Sequence, residues 1–274
     1  MIPKIIHYCW FGHNPLPESA LKCIKSWKKY CPDYEIKQWD ESNFDIDSCN
    51  YTRESYSAKK WAFVSDYARM WILYNYGGLY FDTDVELIAD ISDIVEKGPF
   101  MGSEPQANGK CMIAAGLGLG VEKGHPFYKK VLEHYENVHF IYEDGYFDET
   151  TIITRVTSLA VTYGYKCVND IESFLDITVY PPEYFCPLNM NTGIMNITDK
   201  TKSIHWYSAS WKTLEENEIH RRCIAIQKKI PGKPGIIIGF LYEISAKCVF
   251  FTKTGGLKST IRRIFKKIYN RNAH

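Results

Sequence analysis

The sequence predicts an α/β protein with one open mixed sheet flanked by helices. Short apolar runs typical of buried strands alternate along the chain with longer segments in which apolar residues recur at helical spacing. This alternation is typical of sheets whose strands are joined by helices. The 274 residues, 45% hydrophobic and 24% charged, are enough to bury one substantial core.

Each predicted element follows from a local pattern. The strands are runs rich in β-branched and aromatic residues, and the helices are segments with an apolar stripe on one face. In the best-defined helix the stripe consists of Trp61, Val64, Ala68, Trp71 and Ile72. Gly77 and Gly78 then end this helix. In chain order, the patterns predict a strand at 4–10, a helix at 17–30, a strand at 34–39, a polar acidic loop around 40–55, a helix at 58–75, a strand at 79–82, strands near 98–103 and at 111–121, helices at 125–138 and 150–163, and a strand near 176–180.

Two carboxylates, Asp82 and Asp84, end the strand predicted at 79–82. Residues i and i+2 of a strand point to the same face, so both side chains are expected to project together. Such a pair is costly unless a cation separates the charges, and Mg²⁺ and Mn²⁺ prefer oxygen ligands completed by water and substrate phosphates. The pattern therefore favours a site for a metal and a diphosphate, as in a nucleotide-sugar transferase. Two solvated acids at a strand end are the simpler alternative.

The preceding helix carries a second pair, Asp66 and Arg69, three residues apart and therefore neighbours on the helix surface. Beside a sugar diphosphate, the carboxylate could accept sugar hydroxyls and the guanidinium could contact phosphate or a sugar oxygen. The alternative is a surface salt bridge. The glycine-rich segment 116–120 lacks the setting of a phosphate loop and is predicted to be a strand packed closely beside the sugar site.

The segments SDYAR and NYGGLYFDTDVE together resemble the shared segment of glycosyltransferase family 32. They are also similar to the catalytic domain of the clostridial glucosylating toxins. IPKIIHYCWFG, LKCIKSWKKYCPDYEIKQWDESNF, VYPPEYFCP and SIHWYSASWK resemble further segments of the family, so the similarity covers residues 1–212. The resemblance implies a GT-A-like fold, a divalent metal (Mn²⁺ or Mg²⁺) and transfer with retention of the anomeric configuration.

The resemblance also implies roles for individual residues on the donor side. Trp10 matches the aromatic residue that stacks on the nucleotide base, with a core tryptophan as the alternative. Asp66 and Arg69 match the pair that grips the donor sugar. Asp82 matches the residue near the ribose and the metal.

The remaining matches concern the metal and the closing segment. Asp84 matches the direct metal ligand, and His205 falls where related enzymes supply a late metal ligand. The toxins have a glutamate at that place, which leaves open whether His205 binds the metal or a phosphate oxygen. Ser208, Ser210 and Trp211 match the loop that closes over the diphosphate.

The end of the chain differs in charge from the rest. Residues 252–274 contain seven Lys or Arg and no acid, which leaves 26 basic against 32 acidic residues elsewhere. Apolar residues at helical spacing in this segment predict a basic amphipathic helix on an anionic membrane surface, with a helix packed on the domain as the alternative. Nucleic acid is not expected, because no recognition motif accompanies the charge. We therefore expect a catalytic domain at 1–235 and a C-terminal helical segment at 236–274.

These features together predict a metal-dependent retaining hexosyltransferase. It would use a nucleotide sugar, with UDP-sugars favoured, and act on a lipid-linked oligosaccharide in bacterial surface polysaccharide synthesis. Nine cysteines without a Cys-x-x-Cys pair, and no recognisable secretory leader, favour a cytoplasmic protein at the inner face of the membrane. The alternatives are a haloacid-dehalogenase-type phosphatase using Asp82 and a non-catalytic sugar-binding subunit.

Overall fold

The computed structural model describes residues 1–106, 108–190, 193–208, 214–230 and 232–255. The chain divides into two compact units, Met1–Ser208 and Ala209–His274. The strands in chain order are β1 (Ile5–Cys9), β2 (Glu35–Trp39), β3 (Gly78–Tyr80), β4 (Val85–Leu87), β5 (Phe100–Pro105), β6 (Cys111–Ile113), β7 (Leu119–Val121), β8 (Glu172–Phe174), β9 (Ile177–Tyr180) and β10 (Ser203–His205). The helices are α1 (Glu18–Tyr30), α2 (Asn50–Ser57), α3 (Trp61–Tyr76), α4 (Ser92–Val95), α5 (Pro126–Glu136), α6 (Ile152–Thr162), α7 (Pro182–Phe185), α8 (Leu214–Lys229) and α9 (Lys233–Gly255).

The large sheet of the first unit is mixed, with strand order β2-β1-β3-β7-β5-β9-β8 and β6 paired to β5. β1 runs parallel to β2 and β3, β7 runs antiparallel to β3 and β5, and β9 runs parallel to β5. The carboxyl ends of β1, β3, β5 and β9 therefore lie at one edge, where ligands bind in open α/β sheets. A separate two-stranded sheet pairs β4 with β10.

Two cores cover the two faces of the large sheet, because successive strand side chains point to opposite sides. Tyr80 and Met101 belong to the core that also contains Val64 of α3. Leu79 and Phe100 belong to the core that contains Trp27 of α1. The predicted α/β class, an open mixed sheet between helices, is confirmed.

Three local predictions differ from the structure. The predicted loop at 40–55 contains a short 3₁₀ turn, Ile46–Ser48, and the beginning of α2, whose Tyr51 is fully buried. The single strand predicted at 111–121 is two strands, β6 and β7, separated by a turn. The strand predicted at 79–82 ends at Tyr80, because the chain turns there toward β4.

The second unit contains α8 and α9. Cys223 Sγ of α8 lies 3.3 Å from the carbonyl oxygen of Gly239 in α9. The predicted helical segment at 236–274 is helical as far as Gly255, and residues 256–274 lie outside the described part of the chain. The domain boundary predicted at residue 235 stays a prediction. Over the described residues, we find no helix with both the length and the apolar character needed to cross a membrane.

Candidate active site

The two acids of the Asp-x-Asp pattern lie in a turn and have different neighbours. The Val85 amide donates to the Asp82 carbonyl at 3.0 Å, and the Asp82 amide donates to the Gly116 carbonyl at 2.9 Å. The expectation that Asp82 and Asp84 project together from one strand is therefore wrong, since a turn does not have the two-residue alternation of a strand. Each carboxylate takes part in its own polar cluster.

Arg69 holds the Asp82 carboxylate with both terminal nitrogens. Nη1 lies 3.3 Å from Oδ2, and Nη2 lies 3.2 Å from Oδ1. The Tyr80 hydroxyl donates to Oδ1 at 3.1 Å, and the guanidinium lies 5.0 Å from the centroid of the Tyr80 ring. A bidentate contact of this kind fixes the orientation of the carboxylate and stabilises its negative charge.

The same guanidinium reaches Asp66, so it bridges two carboxylates. Nη2 lies 3.2 Å from Asp66 Oδ1, and the Arg69 side chain is only 6% exposed. The Asp66–Arg69 pair is thus buried, and the alternative of a surface salt bridge is wrong. Burial, opposed by Arg69, raises the pKa of Asp66 to about 6. Its Oδ2 accepts the Ile152 amide at the beginning of α6, at 3.2 Å.

Asp84 forms the second cluster, with residues that follow β10. Pairing of β4 with β10 places His205 opposite Val85, and His205 Nε2 lies 3.3 Å from Asp84 Oδ1. The Ser208 amide and hydroxyl donate to Oδ2 at 2.9 and 3.1 Å. Burial alone would raise the pKa of Asp84, but hydrogen bonds from His205 and Ser208 hold it below its ordinary value. Burial disfavours the His205 cation, yet Asp84 raises the pKa of His205 to about 10.

Asp84 and His205 form an ion pair, so the two together would hold a divalent cation only if it replaced the proton on His205 Nε2. Within the described ranges, no three His, Cys, Asp or Glu side chains converge as a metal site. A cation carried by a substrate diphosphate needs only one or two protein ligands. The two oxygens of Asp82 already face Arg69 and Tyr80.

The other predicted contacts stay predictions. Trp10 is half-buried directly after β1, at the sheet edge expected for a ligand, and its indole donates to the Asn14 carbonyl at 2.7 Å. A base-stacking role is compatible with that place. Ser210 and Trp211 lie outside the described residues.

Sequence reasoning missed the function of one glycine. The glycine-rich segment was expected to be a strand beside the sugar site, but Gly116 lies in the turn before β7. A Cβ at this position would lie 1.8 Å from Asp82 Oδ2 and 3.2 Å from Arg69 Nη1. Only glycine leaves room for the carboxylate that Arg69 holds. The glycine repeat is visible in the sequence, but the contact between Gly116 and the Asp82 carboxylate is not.

Gly116→Ala should displace the Asp82 carboxylate from Arg69. We expect destabilisation of about 1–3 kcal/mol from overpacking, and a larger relative loss of donor-sugar turnover. Urea unfolding and nucleotide release, measured on the same sample, would test this. Gly164→Ala is a control for backbone strain without a steric clash, because its φ of +101° is unfavourable for alanine but a Cβ there meets nothing within 4 Å. Unchanged turnover in Gly116→Ala would contradict the assigned role.

Comparison with known proteins finds a family whose sequence pattern includes these residues. The glycosyltransferase sugar-binding region containing the DXD motif matches residues 17–101, which include Asp66, Arg69, Asp82 and Asp84. Over these residues the chain is similar to the DXD glycosyltransferases of the family-32 type. The resemblance carried by SDYAR and NYGGLYFDTDVE is thereby confirmed.

Two curated relatives come from Schizosaccharomyces pombe. Inositol phosphoceramide mannosyltransferase 3 is 27% identical over 188 residues, covering 67% of this chain and 51% of that protein. Inositol phosphoceramide mannosyltransferase 1 is 25% identical over 177 residues, covering 60% and 51%. The chain therefore spans about half the length of these relatives. Among solved structures, the PaToxG glycosyltransferase is similar with a TM-score of 0.46 and 18% identity, over 59% of this chain and 69% of that one.

Proposed function

We propose that this protein is a metal-dependent hexosyltransferase that uses a nucleotide sugar and retains the anomeric configuration. One observation carries the proposal. The turn after β3 contributes one aspartate to each of two polar clusters. In the first, Arg69 bridges Asp66 and Asp82, and in the second, Asp84 pairs with His205. The first cluster suits sugar hydroxyls, and the second suits a cation and a diphosphate.

In this proposal Asp84 and His205 hold Mn²⁺ or Mg²⁺. When bound, the ion neutralises the negative charge that develops on the leaving diphosphate. Ser208 orients Asp84 through two hydrogen bonds, so the carboxylate is already positioned before the donor arrives. Trp10 would stack on the base, and the contacts with the diphosphate that the sequence resemblance implies for Ser210 and Trp211 stay predictions.

On the donor-sugar side, Asp66 accepts hydroxyls and Arg69 contacts a sugar or phosphate oxygen. Asp82 is poorly suited to attack the anomeric carbon, because Arg69 and Tyr80 stabilise its negative charge and occupy both of its oxygens. This favours a front-side displacement in which the departing phosphate helps to deprotonate the acceptor hydroxyl. The family match also favours a transferase over a phosphatase that uses Asp82 as nucleophile.

We propose that the acceptor is a lipid-linked oligosaccharide of bacterial surface polysaccharide synthesis, at the inner face of the cell membrane. The basic segment 252–274 supports contact with anionic lipid. The names of both curated relatives describe transfer to a lipid, inositol phosphoceramide. UDP-sugars remain our favoured donors, and the mannosyltransferase names make GDP-mannose the main competitor.

A donor panel tests the proposal. The full chain would be incubated with UDP-glucose, UDP-galactose, their N-acetyl derivatives and GDP-mannose, with Mn²⁺ and with chelator. We expect one donor to raise the melting temperature and to release nucleoside diphosphate slowly, and chelator to abolish both effects. Stabilisation without turnover, even with added acceptor lipid, would favour a non-catalytic sugar-binding subunit. No response to any donor from folded, metal-loaded protein would contradict donor binding itself.

A further inference from the structure

The second unit presents an apolar helix face to solvent. Between residues 237 and 249 of α9, the exposed side chains that the structure describes are Ile237, Ile238, Leu241, Ser245 and Val249. The four aliphatic members are 43–59% exposed. At 3.6 residues per turn these positions span an arc of about 120°, so they form one continuous strip along the helix. We call this set the α9 apolar face.

The opposite side of α9 is already used for packing. Gly235 and Gly239 are buried, and the Gly239 carbonyl lies 3.3 Å from Cys223 Sγ of α8. The α9 apolar face is therefore the side that α8 leaves uncovered. Single exposed aliphatic residues are ordinary on protein surfaces, but a strip of four large ones along one helix is typical of a surface that contacts a partner.

Charge identifies the partner. The chain that continues from the end of this helix carries seven Lys or Arg and no acid between residues 252 and 274. An apolar helix face that is followed in the sequence by a cluster of cations is the combination that binds the headgroup boundary of an anionic bilayer. We infer that the α9 apolar face inserts into the surface of an anionic membrane.

This inference deepens the proposed function, because it assigns the membrane contact to a described helix. It also divides membrane binding into two contributions that differ in their dependence on salt concentration. The basic segment supplies a salt-sensitive attraction, whereas the α9 apolar face supplies a contribution that salt does not screen.

Co-sedimentation of the full chain with vesicles tests the inference. The vesicles would contain phosphatidylcholine alone or with about one third phosphatidylglycerol. We expect the wild type to bind the anionic vesicles, and Ile237→Gln/Leu241→Gln to bind them about tenfold more weakly without any change in charge. Leu21→Gln/Val161→Gln is the matched control, because it removes two aliphatic side chains, 51% and 48% exposed, from other helices. We expect this control to bind like the wild type.

Three results would overturn the inference. The wild type could fail to bind anionic vesicles, the α9 variant could bind as well as the wild type, or the control could lose binding equally. A fall in molecular mass of the α9 variant in lipid-free solution, with no vesicle binding by the wild type, would instead assign the face to a second copy of the chain. Donor hydrolysis in lipid-free solution is measured on the same variants. Absence of hydrolysis in the wild type would contradict the proposed function, whereas altered vesicle binding with unchanged hydrolysis concerns the membrane contact alone.

Discussion

Asp84→Asn should reduce metal-dependent nucleotide-sugar turnover by about a hundred- to a thousandfold while leaving the fold intact. The substitution removes the charge that would hold the cation but keeps the shape of the side chain. The carbonyl oxygen of the introduced amide could still accept the Ser208 amide, which lies 2.9 Å from the Asp84 oxygen. The turn between β3 and β4 should therefore persist, with a stability change of about 1–2 kcal/mol.

The measurement compares nucleotide release over a Mn²⁺ titration in the wild type and the variant. Asp33→Asn is a matched control, since it neutralises an exposed aspartate that pairs with Lys4. If the variant has lost only metal affinity, nucleotide release should reach its half-maximal rate at a higher Mn²⁺ concentration, and high Mn²⁺ should partly restore the rate. Full turnover at the wild-type Mn²⁺ midpoint would exclude Asp84 as a metal ligand.

The sequence selected candidate site residues but not their arrangement. Asp66, Arg69, Asp82 and Asp84 lie within one helix and the turn after the next strand, so local pattern and family resemblance were sufficient to select them as candidates. The contacts that orient them come from elsewhere in the chain. Ser208 lies 124 residues from Asp84, and Ile152 lies 86 residues from Asp66. Periodicity in a short window carries no information on such contacts.

Burial explains two of the differences. Asp66 and Arg69 lie off the apolar stripe of α3, which left a surface salt bridge as an alternative. The helix is covered on nearly all sides, and the two charges neutralise each other in the interior. Helix α2 was missed because its composition is unfavourable for a helix. Asn50, Thr52 and Ser55 are weak helix formers, so the helix depends on tertiary packing of residues such as Tyr51.

Arg69→Met should have the largest effect on stability in the site. The change keeps the bulk of the side chain but leaves Asp66 buried without its cation, and breaking a buried pair costs about 3–5 kcal/mol. Asp82 loses its bidentate contact with Arg69 as well, although its side chain is 32% exposed and can be hydrated in part. We expect urea unfolding to report the loss and donor-induced stabilisation to disappear.

A second substitution separates stability from function. In Asp66→Asn/Arg69→Met the charge of Asp66 is gone, so most of the lost stability should return. Donor turnover should stay abolished, because neither charged group remains to bind the sugar.

Arg69→Lys should keep stability close to the wild type yet lose most turnover, because an ammonium cannot hold Asp66 and Asp82 at once in the way a planar guanidinium does. If Arg69→Met unfolds within about 1 kcal/mol of the wild type, Asp66 is neutral in the folded protein and the bridge is not what stabilises this site. If the double variant regains turnover together with stability, the contribution of Asp66 and Arg69 is structural, and the donor sugar is held by other residues.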